Sequence, residues 1–489
     1  MSAHRGDEWA FVPVLTHHPL QRVGATALAV LAEADSVAGV DSAAFEAGVG
    51  QMTADLLRTV TVDKAKDAGG FWLGVSYLFW PNSPMNPTAR GKQDHATREE
   101  QILRWRKAPQ HESWPGVPCA LCTRRACGFY GKVDVPLAES TSHRNTTTRG
   151  HEGLALCFGC LSSFHALPYA CRIHGGRATV VHSWDEKFLW HTTINQVHDT
   201  RIYAQAGGPK PVAGAYLRQR LALARLRSYE SADTVTADVD LMVFSNSNKD
   251  QSLDIHNLQQ RVAAWLRSTA WSADRATAFR YLTRAMHTSK VAGSHMLANV
   301  LFTSPDRLPQ WVAGYLRACS ASTRIPAESA MLADLCFSYV TEVLSMPTSD
   351  IDQIRALAAR IADHVGATGN DKRLRGFLHA ERDSKRLRTW LKKTSTLHTL
   401  VEASAPVPNT AENGRPREPF ITMRQLHLLF DPDPAAASWH RRDLLVSGVL
   451  EELQLRGWTV DSGQARSELE DDDVLDPALF DETLEEEPV

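Results

Sequence analysis

Residues 118–122 read PCALC and residues 157–160 read CFGC. The two Cys-x-x-Cys pairs, Cys119/Cys122 and Cys157/Cys160, use four of the eight cysteines in the chain. That spacing lets neighbouring thiolates grip one tetrahedral ion. Each pair sits on a turn-prone segment that can fold back on itself. A structural four-cysteine zinc site is the expectation, with a redox dithiol and an iron–sulfur cluster as the alternatives. Between the pairs lies ESTSHRNTTTRGHEG (139–153), a polar stretch expected to form an exposed excursion. Cys127 and Cys171 are close enough in sequence to serve as substitute ligands, or simply as small buried side chains.

Working outward, PLQRVGATALAVLAEAD (19–35) is small and apolar on most faces, as a largely buried helix would be. A second helix with an Ala-rich stripe is expected from Asp41 to Thr59. FWLGVSYLFW (71–80) is short, aromatic and apolar, which predicts a buried strand. It runs into PNSPMNPTARGK (81–92), where three prolines and two asparagines impose an extended, turn-rich loop. A helix from Arg98 to Lys107 then delivers the chain to the first cysteine pair. Strands are expected at 178–185 and 238–246, and an Arg-rich amphipathic helix at 213–231. From about Ile255 to Ala403 the pattern is helical. SAPVPNTAENGRPREP (404–419) has the composition of a linker, and 437–456 forms a further amphipathic helix.

The 489 residues exceed one ordinary core. The fold class expected is α+β, predominantly helical: a mixed α/β N-terminal domain with an inserted four-cysteine zinc module, followed by a C-terminal helical bundle. The divisions are 1–105 and 191–259 for the α/β domain, 106–190 for the zinc module and 260–403 for the bundle. Residues 404–419 form a linker, 420–466 carry C-terminal helices, and 467–489 are an acidic, disordered tail. No apolar run is long enough to span a membrane. The start, MSAHRGDEWAF, lacks the apolar core of a secretory signal, so a reducing cytoplasm is expected.

The net charge of −3 conceals an asymmetry. From Ser467 onward the chain carries eleven acids and no Lys or Arg, so the rest has 53 bases against 45 acids, a formal charge of +8. Such a body suits a polyanionic partner, and the tail either confers solubility or competes for the basic surface. On the helix expected around 384–401, Leu387, Trp390, Leu391, Thr394, Leu397 and Val401 share one face. Lys385, Arg388 and Lys392 line the opposite one. A merely solvated helix mixes charge signs along its length; here the acids Glu381 and Asp383 can pair only with the first bases.

Catalytic motifs are incomplete. PCALC matches half of the zinc nucleobase-deaminase signature, but no H-x-E precedes it, and a second cysteine pair would fill the open coordination position. Neither G-x-x-x-x-G-K-[ST], G-x-G-x-x-G nor H-E-x-x-H occurs.

Five segments in order carry a resemblance. They are HPLQRVGATALAVLAE (18–33), YLFWPNSPMNP (77–87), CFGCLSSFHALPYACRIHGGRATVVHSWDEKFL (157–189), VDLMVFSNSNKDQSLDIHNL (239–258) and SWHRRDLLVSGVLEEL (438–453). Together the chain resembles the large subunit of type I CRISPR surveillance (Cascade) complexes, in the zinc-containing branch of I-A and I-B-like systems. The resemblance implies a binding subunit with no enzymatic activity. It would sit beside the backbone and repeat-handle-binding subunits of a crRNA-containing complex. There it would recognise the protospacer-adjacent motif in double-stranded DNA, help part the strands and recruit the helicase-nuclease. The C-terminal bundle would line the displaced strand. On this view Asn82, Ser83 and Asn86 of the proline-held loop lie near the motif and Lys92 on phosphate, with Lys385, Arg388 and Lys392 as further DNA contacts. Both asparagines serve equally well as turn caps. A zinc-dependent nucleic-acid-modifying enzyme, such as a deaminase or RNA-processing factor, is the competing expectation.

Overall fold

The computed structural model describes residues 11–138, 153–206, 214–229, 234–247, 251–320, 325–367, 371–404, 419–433 and 436–458. The acidic tail, nearly all of the linker and nearly all of the polar excursion at 139–153 lie outside the described residues. The chain is mixed α+β and predominantly helical. It divides into two compact units, one within Met1–Gly214 and Ser228–Gln260, the other within Ala215–Arg227 and Arg261–Leu479. The helix at 217–227 thus belongs with the second unit, although it precedes the last strands of the first.

The first unit is built around α1 (Pro19–Leu31), which is buried on almost every face, as its all-round apolar sequence demands. Around it pack α2 (Ser42–Leu57), α6 (Phe158–Ala166), α7 (Glu186–Ala206) and strand β4 (Arg177–Ser183). Between α2 and α6 the chain adds α3 (Phe71–Phe79), the short α4 (Pro87–Arg90), α5 (His95–Arg106) and a two-stranded ribbon, β1 (Gly128–Tyr130) with β2 (Leu154–Leu156). The main sheet is antiparallel in the order β3 (Arg172–His174), β4, β5 (Val239–Asn246), β6 (Gln251–Leu258). Val180 stands opposite Met242, and Ala178 opposite Phe244. These four side chains are buried and make the inner face, which meets α3 where Phe79 packs edge-on against Phe244 at 5.5 Å.

Two elements differ from expectation. FWLGVSYLFW folds as helix α3, not as a strand. An apolar run of this length carries no periodicity that separates the two states, and this one is buried on most faces: Trp72, Leu73, Val75, Ser76, Leu78 and Phe79. Ser76 satisfies its hydroxyl within the helix, donating to the Leu73 carbonyl at 2.7 Å. Pro81 follows immediately and stops it. The second difference is β6, where helix was expected from about Ile255. Its residues are mostly exposed, so it lacks the apolar signal of a buried strand; register with β5 holds it.

The second unit is helical throughout. It comprises α8 (Leu217–Arg227), α9 (Gln260–Ser268), α10 (Ala273–Ala285), α11 (Gly293–Thr303), α12 (Leu308–Ser320) and α13 (Ser329–Glu342). It continues with α14 (Thr348–Gly366), α15 (Asp371–Ala380), α16 (Ser384–Ser404), α17 (Met423–Phe430) and α18 (Ser438–Leu455). Helix α18 is its axis, packed by α12, α13, α14 and α17 through Leu444, Leu445, Val449, Leu450 and Leu453. Helix starts follow the capping rules: Asp41 accepts from Ala44 N–H, Asp94 from Thr97 N–H, and Thr422 forms a reciprocal box with Gln425. Among the described residues no helix is long and apolar enough to cross a membrane.

Helices α1 and α6 touch backbone to backbone at Gly24, where a Cβ would lie 2.0 Å from the Ser163 carbonyl oxygen. Gly24→Ala should therefore cost about 1–3 kcal/mol by forcing the helices apart. Gly50→Ala on α2 has nothing within 4 Å of the added methyl and should stabilise the chain by about 0.5–1 kcal/mol. Urea unfolding of the two variants checks both signs.

Candidate metal centre

The four cysteines of the two pairs converge. Their sulfur atoms all lie within 4.8 Å of one another, and Cys122 and Cys157 Sγ are 3.4 Å apart. None of the eight cysteines forms a disulfide. Local structure explains each position. Cys119 and Cys122 sit on a tight turn in which Thr123 N–H donates to the Cys119 carbonyl at 3.0 Å and Thr123 takes a left-handed backbone (φ 64°). Cys119 N–H donates in turn to the Arg124 carbonyl at 2.6 Å. Cys157 is the N-cap of α6, and its sulfur accepts from the Cys160 N–H at 3.5 Å. The turn is stitched to the second pair by Ala120 N–H to Ala155 carbonyl (2.9 Å) and Cys127 N–H to Leu156 carbonyl (2.8 Å). The ribbon therefore closes a sequence gap of more than thirty residues and brings turn and helix end to one point.

The donor set fits a tetrahedral metal ion. Four sulfurs about 2.3 Å from a common centre would stand about 3.8 Å apart, which the observed spacing brackets. Four thiolates this close repel one another strongly unless a cation sits among them. The crowding is visible in the thiols: hydrogen bonds from Cys122, Cys157 and Cys160 hold Cys119 well below the ordinary thiol range, while Cys119, Cys122 and Cys157 push Cys160 well above it. The α6 N-terminus adds a favourable dipole for negative sulfur. Cys127 and Cys171 are buried but stand outside the ligand group; Cys127 Sγ instead meets the Tyr130 hydroxyl at 3.3 Å.

Of the other sequence-selected residues, the loop after Trp80 divides in two. Asn82 is exposed and holds a left-handed backbone (φ 67°), a conformation asparagine tolerates. Lys92 is also exposed. Ser83 and Asn86 are buried and shape the loop. Ser83 Oγ accepts from Met85 N–H at 3.2 Å, and Asn86 Oδ1 accepts from Thr88 N–H at 3.0 Å as the N-cap of α4. On α16, Lys385, Arg388 and Lys392 are exposed in a row opposite buried Leu387, Leu391 and Thr394. The apolar face runs out at Leu397, which is 56 % exposed.

Three residues that fix this loop carry no motif signal. Arg90 is buried and donates to the Thr59 carbonyl (2.6 Å), Thr59 Oγ1 (3.2 Å) and Val60 carbonyl (3.1 Å), pinning the far end of the loop to the end of α2. Arg106 lies over the rings of Trp105 (4.2 Å) and buried Trp80 (4.7 Å), and burial pushes its guanidinium down to about 9. Asn246 on β5 is fully buried. Its amide donates to the Phe79 and Lys132 carbonyls (3.2 and 3.0 Å), and its Oδ1 accepts from Leu137 N–H at 3.0 Å. A buried Asn at the end of an apolar strand was the one available hint, since such a residue must find several partners. Beside Arg106, burial lowers the His165 imidazole to about 4, leaving it neutral near Asp134.

Comparison of the chain with protein-family models, curated proteins and solved structures finds no match.

Replacing Cys157 and Cys160 by Ser should abolish metal content and lower Tm by about 10 °C or more, since each kcal/mol is worth about 2–4 °C in a unit of this size. Elemental analysis and thermal unfolding read the two effects. In the native chain, chelation should expose four additional thiols to a colorimetric reagent.

Proposed function

We propose that this chain is the large subunit of a crRNA-guided type I CRISPR interference complex, stabilised by a zinc ion on Cys119, Cys122, Cys157 and Cys160. It recognises the protospacer-adjacent motif in double-stranded DNA, promotes strand opening and recruits the helicase-nuclease. The observation that carries the reading is the ordered set of five segments resembling that family. Their joint packing supports it: residues 18–33 form α1, which packs on α6 and β4 from 157–189, while Asn246 from 239–258 grips the end of α3 from 77–87. The fifth segment is α18, the axis of the helical unit.

The zinc is structural. Four cysteine sulfurs complete a tetrahedron and leave no position for a reacting water, which weighs against the deaminase-like alternative. A multi-iron cluster would hold its thiolates farther apart than these sulfurs stand.

Strand exchange needs little chemistry from the protein, because guide–target pairing roughly balances the duplex that is lost. What it needs is phosphate binding and a short motif read from a rigid support. Asn82 projects from a loop anchored by Arg90 and by the Trp80–Arg106 stack, and its amide can address a base edge. Lys92 takes phosphate. Ser83 and Asn86 position the loop rather than touch DNA. The row Lys385, Arg388, Lys392 supplies sequence-independent phosphate contacts.

Asn82→Gly keeps the left-handed backbone and removes only the amide. In the assembled complex it should reduce discrimination among motif variants at least tenfold while leaving assembly intact; retained discrimination refutes the assignment. Reversing Lys385, Arg388 and Lys392 to Glu should instead weaken DNA binding uniformly and lower the salt slope by about 2–3.

A further inference from the structure

We propose that the acidic segment 467–489 docks on the basic row of α16 and, in the free chain, occupies the surface that nucleic acid would otherwise take. With α8, α16 is one of the strongly basic helices of its unit. The helix carries five bases (Lys385, Arg386, Arg388, Lys392 and Lys393) and one acid, Glu402. Several other guanidinium groups of this unit find carboxylates: Arg275 with Glu342, Arg355 with Glu451, Arg441 with Asp350, and Arg456 with Asp363. Among the described residues Arg388, Lys392 and Lys393 have no ion pair at all. Of the acids around the row, Glu381 pairs with Arg317, Asp383 accepts from the Arg386 N–H at 2.9 Å at the start of α16, and Asp431 and Asp433 line the cleft that Lys385 and Arg388 border. Lys385, Arg388 and Lys392 follow the 3–4 spacing of one helix face over about 10 Å.

The complementary charge lies in the same chain. Residues 467–489 carry eleven acids and no base, and Val474, Leu475, Leu479 and Phe480 are set among them. The surface offers matching apolar walls. Lys385 and Arg388 border a cleft of about 360 Å³ whose other walls include Phe430, Pro432 and Trp439. Farther along α16, Leu397 is exposed. Asp431 and Asp433 also line this cleft, so an acidic segment is favoured beside Lys385 and Arg388 of α16. Reach is sufficient. The described chain stops at Trp458, just past the end of α18, while the cleft touches Ser438 and Trp439 at its start. Running back along α18 requires about 27 Å, and the 31 residues after Trp458 span up to about 100 Å when extended. A tethered segment has an effective concentration in the millimolar range, so modest intrinsic affinity suffices. Exposed charge pairs are screened by salt, which makes the docking reversible.

Only the functional consequence of docking rests on the reading of α16 as a nucleic-acid surface. The test compares the full native chain with a full chain whose eleven tail carboxylates are exchanged for amides. A labelled peptide of residues 467–489 should bind the amide-tail chain at least tenfold more tightly than the native chain at low salt. Binding should vanish at 0.5 M salt, and in the amide-tail chain carrying K385E, R388E and K392E. Equal binding to native and amide-tail chains, absent binding to both, or binding that survives reversal of the row overturns the proposal. A labelled oligothymidylate should likewise bind the amide-tail chain at least tenfold more tightly. If the peptide behaves as expected and no chain binds the oligonucleotide, docking stands and the nucleic-acid reading falls.

Discussion

Four sulfur atoms within 4.8 Å of one another are the constraint on which the first unit turns. As thiolates they cannot share that volume without a cation, and as thiols they would leave a poorly packed polar knot inside a core. A metal ion would resolve the conflict and in doing so would fix three things at once: the turn at 119–124, the β1–β2 ribbon, and the N-terminus of α6. Helix α6 then presses on α1 with only Gly24 between them, and α1 organises the rest of the unit. Arg124 extends the staple to the chain start by donating to the Val12 carbonyl at 2.8 Å. The cysteines share one continuous core with the helices around them, so a metal bound there would couple its binding to the folding of this unit.

A separate set of buried contacts holds the loop after Trp80. Asn246 ties the end of α3 to the 132–137 segment, Arg106 covers the Trp80 ring, and Arg90 bolts the loop to α2. Each anchor is a buried polar group whose partners are backbone carbonyls or aromatic faces. Asn246 and the Arg90 Nη groups are satisfied by these partners and so admit one arrangement, while Arg106 leaves Nε and Nη1 without a hydrogen bond and is held by the rings it covers. The loop can thus hold Asn82 in a left-handed conformation at an exposed position, an arrangement suited to recognition.

Much of this was legible in the sequence, for identifiable reasons. The cysteine spacing announced its ligand set, because ligand geometry is local within each pair. Helix α1 and strands β4 and β5 carry strong apolar patterns, and all three form where expected. Helix α3 was misread because an all-apolar run satisfies helix and strand equally, and only its neighbours decide. Strand β6 was missed because its partner, rather than its own side chains, makes it a strand. Ser83 and Asn86 have the same residue types as exposed recognition side chains; their burial depends on how the loop folds under Arg90, which sequence spacing does not encode. Arg90, Arg106 and Asn246 act through long-range contacts and have no motif.

The second unit presents the opposite physics. Its core is an ordinary packing of apolar helix faces about α18, and on α16 the bases Arg388 and Lys392 form no ion pair among the described residues. On the proposed function, the anchored loop after Trp80 in the first unit would read the motif and the basic row of α16 in the second would hold phosphate. The most direct measurement is to purify the chain from its native cells under low salt and sequence whatever nucleic acid and protein accompany it. A short RNA of fixed length carrying a constant repeat-derived end, together with partner subunits, is the expected result. A chain that purifies free of RNA and partners, or that alone converts a nucleic-acid substrate, would contradict it.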